Sequence, residues 1–199
     1  MTKGGSARMR TDRWSDWAVL LVLAVALMLG WGVMAYAEGQ RESFTDAGTG
    51  LTVSYPRGWL LKDDDKLAFQ ALDPATSGLR TTYQVKAWPI AATESLTSSL
   101  GVLLNDASLA RAQQGTAYRL LDLLEGDDIH GQPAMEAEYV YVVEGNDLFV
   151  QQLPVVVRGL DIAIPLGDKG FVFSLLASED AYASAVSAFR DFVGSAALK

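Results

Sequence analysis

The chain has 199 residues, half of them hydrophobic, with one histidine, no cysteine and a net charge of −8. The absence of cysteine excludes disulfides, thiolate catalysis, iron–sulfur clusters and thiolate zinc sites. Residues 38–199 hold 22 acidic and 12 basic side chains, a net charge of −10. Because such a surface repels phosphate backbones, we expect no nucleic-acid partner.

The N-terminal part contains a long apolar stretch, since residues 17–37 carry no charged side chain. A helix of this length rises about 31 Å, enough to cross a hydrocarbon core of about 30 Å. Residues 1–16 carry four basic side chains against Asp12 and Asp16, and basic flanks stay in the cytoplasm. We therefore predict a cytoplasmic tail over 1–16 and a single-pass signal-anchor helix over 17–37, in contact with membrane lipid, with the rest of the chain outside the cytoplasm.

The same stretch has a second interpretation as a cleaved secretory signal. Residues 18–29 form an apolar core of suitable length, and Ala35-Tyr36-Ala37 has the small-x-small pattern of a cleavage site. Cleavage after Ala37 would release the same domain as a secreted protein. Both interpretations place the following domain outside the cytoplasm, and the anchored form in the cell membrane is the one we prefer.

A short polar linker, 38–43, is predicted to precede one domain over 44–199. The domain opens on a hairpin with Gly48 and Gly50 in the turn. Apolar positions of the second strand alternate with period two at Leu51, Val53 and Tyr55. Similar patterns predict further strands over about 66–72, 79–88, 118–124, 133–143, 153–164 and 170–177.

Two segments change to helical spacing, at about 95–114 and 179–197, the second with Ser178 as its cap. The strands follow one another in runs, which favours an antiparallel sheet, and each helix has one apolar face. The predicted fold is therefore α+β, an antiparallel β-sheet covered by two amphipathic helices. Within it, the apolar stretch 151–166 is predicted as a central strand rather than an edge, and Glu136 and Glu138 as an outward polar face.

Three strings carry a family resemblance: FTDAGTGLTVSYPRGW at 44–59, HGQPAMEAEYVYV at 130–142, and a closing helix that ends in FRDFVGS. Together with the order of elements, they resemble the PsbP-like α/β/α sandwich superfamily over the whole exported domain. That superfamily includes an extrinsic photosystem subunit and many bacterial envelope proteins. The resemblance implies an accessory or docking domain without catalytic activity, and it brings no shared set of functional residues that would transfer a photosynthesis-related role.

The densest acidic groups are candidate metal sites. Asp63, Asp64 and Asp65 supply oxygen ligands suited to calcium, but the ligand spacing of a calcium-binding loop is missing. Asp127 and Asp128 lie next to His130, the one imidazole of the chain. In both places a solvated polar turn is the interpretation that we prefer, and a metal site is the alternative.

The sequence lacks a nucleophile elbow, a phosphate-binding glycine-rich loop and a dinucleotide fingerprint. We therefore predict neither an enzyme nor a cofactor. The preferred hypothesis is a membrane-anchored extracytoplasmic accessory subunit with protein partners in a larger membrane or envelope complex. The alternative is an envelope protein that binds a small ligand or a divalent metal such as calcium, secreted after cleavage at Ala37.

Overall fold

The computed structural model describes residues 17–31, 39–76, 79–90, 96–114, 116–143 and 154–198. The chain divides into two compact units, residues 1–41 and residues 42–199. In the first unit, residues 17–31 form helix α1, whose side chains are all exposed. The rest of the predicted span, 32–37, and the predicted tail, 1–16, lie outside the described residues. No helix in the described part of the chain combines the length and apolar character that a membrane crossing requires.

The second unit contains ten strands and two further helices in the described residues. They are β1 (Arg41–Thr45), β2 (Leu51–Pro56), β3 (Leu60–Leu61), β4 (Phe69–Leu72), β5 (Thr82–Pro89), α2 (Leu96–Gln114), β6 (Thr116–Ile129), β7 (Gln132–Val143), β8 (Val155–Leu166), β9 (Lys169–Ser178), α3 (Glu179–Gly194) and β10 (Ala197–Leu198). The first strand thus begins at Arg41, inside the segment predicted as a linker.

The strands form two sheets. The larger has seven strands in the order β3-β4-β5-β9-β8-β7-β6, and its described neighbours all pair antiparallel. The smaller has the order β1-β2-β10, in which the C-terminal strand pairs with β2. Since β8 lies between β9 and β7, the prediction of a central strand for the apolar stretch is confirmed.

A helix covers each face of the seven-stranded sheet. On one face, Leu100 and Leu104 of α2 pack with Ala137, Ala163 and Val172. On the other face, a larger core joins the sheet, α3 and β2, and it is rich in aromatic rings. Its buried rings include Tyr55, Phe69, Tyr83, Phe171, Phe173, Phe189 and Phe192. The α+β fold with a helix on each face is therefore the predicted one.

Besides the start of β1, three further features of the structure differ from what the sequence predicted. Glu136 is 8% exposed, so the outward polar face predicted for β7 is wrong: α3 packs over it. Helix α3 ends at Gly194, because residues 197–198 leave it to form β10. Strands β3 and β10 were not predicted, since two residues are too short for an alternation to be recognised.

Candidate functional site

The acidic residues singled out in the sequence lie in two separate regions. Asp63, Asp64 and Asp65 belong to the loop between β3 and β4, where the Asp64 carboxylate accepts a hydrogen bond from the backbone N–H of Lys66 at 3.0 Å. Asp127 and Asp128 lie near the end of β6, before a tight turn at His130. The structure therefore does not bring the two acidic groups together into one site.

In the part of the chain that the structure describes, no three His, Cys, Asp or Glu side chains are arranged to hold a metal ion. His130 has a φ of 55°, a left-handed turn conformation that places it between β6 and β7. A turn in this region was predicted, but it lies at 130–131, and Asp127 and Asp128, which were predicted to belong to it, lie in β6. The metal site at these residues stays a prediction.

The most elaborate polar arrangement of the described residues lies beneath α2 and was not predicted. Arg111 of α2 donates to both carboxylate oxygens of Asp161, from Nε at 3.2 Å and from Nη2 at 2.9 Å. Its Nη2 also donates to Ser174 Oγ at 2.7 Å, and the Tyr139 hydroxyl donates to Asp161 Oδ1 at 3.0 Å. The Asp161 carboxylate therefore accepts three hydrogen bonds in a site where its side chain is 1% exposed.

Both partners of Asp161 keep their protons at neutral pH. Burial lowers the pKa of Arg111, but the Asp161 carboxylate, with Tyr139 and Tyr141 nearby, outweighs burial, and the net shift is upward. Burial raises the pKa of Tyr139 well above its usual 10.0. Neither group exchanges a proton near pH 7, so the cluster is suited to orienting charge rather than to acid–base catalysis.

A cleft opens beside this cluster, because α2 leaves part of its face of the sheet uncovered. The cleft has a volume of about 250 Å³. Its floor is formed by β5 and β9, one wall by α2 and the other by the loop between β3 and β4. The lining residues are Asp64, Lys66, Leu67, Gln84, Lys86, Trp88, Ala107, Ala110, Arg111, Val172 and Ser174.

Register explains why the floor of the cleft is polar at one end. Gln84 of β5 lies directly opposite Ser174 of β9, which lies directly opposite Asp161 of β8. Residues paired in this way share a face of the sheet, so these three form one row across three strands. One row further along, Lys86 pairs with Val172. The cleft floor therefore passes from a polar row to a row that pairs a cation with an apolar side chain.

On the opposite face, two glutamates of β7 form ion pairs with arginines. Arg190 of α3 binds Glu136 through two parallel hydrogen bonds of 2.6 and 2.7 Å. Arg158 donates to Glu138 at 2.6 Å and to Glu179 at 3.0 Å. Because each carboxylate of β7 has an arginine partner, the pair is not arranged as two carboxylates of split pKa for acid–base work.

Strand β6 forms one edge of the seven-stranded sheet, and among the described strands it pairs only with β7. It is fourteen residues long, and four of its leucines keep between 41% and 43% of their surface exposed. These are Leu120, Leu121, Leu123 and Leu124. Edge strands are usually protected against pairing with other chains by charges, bulges or a covering segment. Strand β6 has charges and register shifts, but its leucines stay partly exposed among the described residues.

The leucines of β6 face both sides of the sheet. Leu123 lies opposite Ala137, on the face covered by α2, whereas Leu124 lies opposite Glu136, on the face covered by α3. Register shifts between Thr116 and Arg119, at Leu121, and between Gly126 and Ile129 add irregularity to the strand. The outer edge of β6 therefore has no strand partner among the described residues, and apolar side chains lie on both faces beside it.

The chain resembles known proteins in its structure rather than in its sequence. No protein-family model matches the sequence, and no curated protein matches it. The PsbP protein CyanoP from Synechocystis sp. PCC 6803 superposes with a TM-score of 0.59 at 19% identity, covering 80% of this chain and 92% of CyanoP. The Ran-binding protein Mog1p of Saccharomyces cerevisiae gives 0.52 at 14% identity, with coverages of 80% and 95%.

A third similar structure is LpqN of Mycobacterium tuberculosis, described as involved in cell envelope biogenesis, with a TM-score of 0.50 at 14% identity and coverages of 80% and 91%. The chain has the PsbP-like fold. The predicted resemblance is thus confirmed for the fold. At identities below 20%, the likeness carries no residue roles from these proteins to this chain.

The PsbP-like fold holds two features here that sequence reasoning missed, the cleft beside α2 and the exposed edge β6. For the cleft, a weak signal was present: Asp161 is a lone acid in the apolar central strand, and such an acid needs a buried partner. Arg111 is fifty positions away, so its identity as that partner requires the fold. For β6, the paired leucines of LLDLL break the period-two pattern that was used to find the strand.

Proposed function

We propose that this protein is a membrane-anchored extracytoplasmic accessory subunit, which docks a protein of a larger membrane or envelope complex onto strand β6. The observation that carries the proposal is the exposed leucine edge of β6. An extended segment of the partner pairs with the free main-chain groups of this edge, as in recognition by β-strand addition. The partner segment covers Leu121, Leu123 and Leu124 at the same time.

The charge of β6 indicates the chemistry of that segment. Four acidic residues of the strand, Asp122, Glu125, Asp127 and Asp128, stand against one basic residue, Arg119. A partner strand that carries both apolar and basic side chains on each of its faces is complementary to this edge, and opposite charges across two strands stabilise their pairing. The overall acidity of the domain adds a longer-range attraction for a basic partner.

The support for a membrane anchor and for an extracytoplasmic location comes from the sequence. The uncharged run 17–37 has the length of a membrane span, and the basic residues before it favour a cytoplasmic N-terminus. Because β1 begins at Arg41, only residues 38–40 separate the predicted span from the domain, which would lie close to the membrane surface, where it meets membrane proteins. The fold likeness to LpqN, which is described as involved in cell envelope biogenesis, is compatible with such a location.

The test is purification from native membranes. Full-length protein with a C-terminal tag is solubilised in mild detergent, and its co-purifying chains and its own N-terminus are identified by mass spectrometry. We expect stoichiometric partner chains and an intact N-terminus. A solitary chain that begins at Glu38 would overturn the anchored accessory role and favour a secreted ligand-binding protein.

Two substitutions locate the docking surface. Leu123→Lys places a charge on the β6 edge, and we expect it to remove the partner chains. Leu61→Lys is the matched control, because Leu61 is 48% exposed on β3, at the opposite edge of the same sheet. Retention of the partners by the Leu123 variant, with unchanged thermal unfolding, would show that docking does not use β6.

A further inference from the structure

We infer that the cleft between α2 and β5 is a binding site for a small organic carboxylate. It is separate from the β6 edge and does not depend on the proposed docking function. The carboxylate is bound by the cations that line the cleft, Lys66, Lys86 and Arg111, while the apolar body of the ligand packs against the apolar lining.

The local charge of the cleft opposes that of the domain around it. Residues 38–199 carry a net charge of −10, yet the cleft is lined by three cations and one acid, Asp64. With Asp161, which lies behind Arg111, the three positive charges face two negative ones. The remaining charge of +1 matches a monoanion such as a carboxylate better than a dianionic phosphate.

Hydrogen-bond donors for this anion remain available. Arg111 uses Nε and Nη2 for Asp161 and Ser174, and its Nη1 donates to no described residue. The Lys86 ammonium lies 4.3 Å from the centroid of the Trp88 ring, a cation–π contact that positions it without neutralising it. No ion pair is formed by Lys66 or Lys86 with any carboxylate of the described residues.

The rest of the cleft is suited to the apolar part of a small ligand. Val172 and Ala107 are buried residues that present apolar surface to the cleft, and Leu67 lines the opposite wall. The volume of about 250 Å³ lies just below the range of sites for drug-sized molecules, which is about 300–1,000 Å³. A ligand of the size of an aromatic or short-chain carboxylate is therefore the appropriate class.

Calorimetric titration of the full-length protein in a zwitterionic detergent tests this inference, with benzoate as the probe and benzamide as its neutral counterpart of the same shape. We expect benzoate to bind at least about tenfold more tightly than benzamide, since charge-assisted hydrogen bonds are the strong contacts of such a site. Raising the salt concentration should weaken benzoate binding. Empty micelles serve as the blank for partitioning of either compound into detergent.

Two lysine variants assign the binding to the cleft. Lys86→Gln removes one cleft cation and should weaken benzoate binding about fivefold. Lys62→Gln removes the same charge from an exposed lysine that does not line the cleft, and it should leave binding unchanged. Absence of benzoate binding, equal binding of benzamide, or an equal loss in both variants would overturn the inference. Unchanged thermal unfolding of both variants ensures that a loss of binding reports on the site.

Discussion

Gly159 is the position at which a single methyl group should be most damaging. It lies directly opposite Tyr139 in the β7–β8 pairing, and the Tyr139 ring passes over it to reach Asp161. A Cβ at this position would fall 2.6 Å from the Tyr139 hydroxyl oxygen, and closer still to ring carbons Cζ and Cε2. The ring is fully buried, with Tyr118 5.6 Å away on a neighbouring strand, so it has little room to move.

The expected cost of Gly159→Ala has two parts. Forcing an extra methyl group into a packed core costs about 1–3 kcal/mol. Displacing the Tyr139 hydroxyl from Asp161 removes a hydrogen bond to a charged group, which contributes about 1.5–3 kcal/mol. We therefore expect the free energy of unfolding to fall by about 4 kcal/mol, which corresponds to about 10 °C in the thermal midpoint of a domain of this size.

Urea unfolding of the full-length protein, followed by near-ultraviolet circular dichroism, measures this loss. Gly101→Ala is the matched control, because a Cβ at Gly101 in α2 would meet no atom within 4 Å. That change should stabilise the protein by about 0.5–1 kcal/mol through helix propensity. In a Tyr139→Leu background, Gly159→Ala should cost less than about 1 kcal/mol. A full cost in that background would refute the assignment of the strain to the Tyr139 ring.

Two further changes test electrostatic contributions. Asp161→Asn leaves the charge of Arg111 largely buried without its carboxylate, so we expect a loss of about 3 kcal/mol in urea unfolding; a loss below about 1 kcal/mol would show that the pair is not needed for stability. Burial raises the pKa of Asp46, but the hydrogen bonds that its carboxylate accepts from Thr49, at 2.6 and 2.8 Å, and from the Gly48 backbone outweigh burial. The pKa of Asp46 is therefore lowered below its usual 3.8. Because the pKa of Asp46 is lower in the folded than in the unfolded protein, ionised Asp46 stabilises the fold above pH 3.8. This contribution is lost as the pH falls through the pKa of the folded state. Asp46→Ala should therefore cost about 1 kcal/mol at pH 6 and less at pH 3, and an equal cost at both pH values would contradict this account.

Local patterns determined much of the fold. The helical spacing of Leu100 and Leu104 predicted α2 and the face it buries, because both depend on neighbouring turns of one helix. In β2, period-two alternation likewise identified Leu51, Val53 and Tyr55 as buried. The apolar character of 151–166 predicted a central strand, since only a strand covered on both faces reads as apolar throughout.

Tertiary structure decided what lies across from each face. The period-two pattern of β7 places Glu136 among exposed positions, yet it is buried under α3. Its burial is possible because Arg190 of α3, 54 positions later, forms hydrogen bonds with its carboxylate. Arg111 and Asp161 meet for the same reason, as α2 crosses the sheet beside β8. Pairing between distant positions depends on the register and layering of the whole domain. The local periodicity of the sequence does not encode such pairings. The cleft and the exposed β6 edge are therefore recognised only in the folded chain.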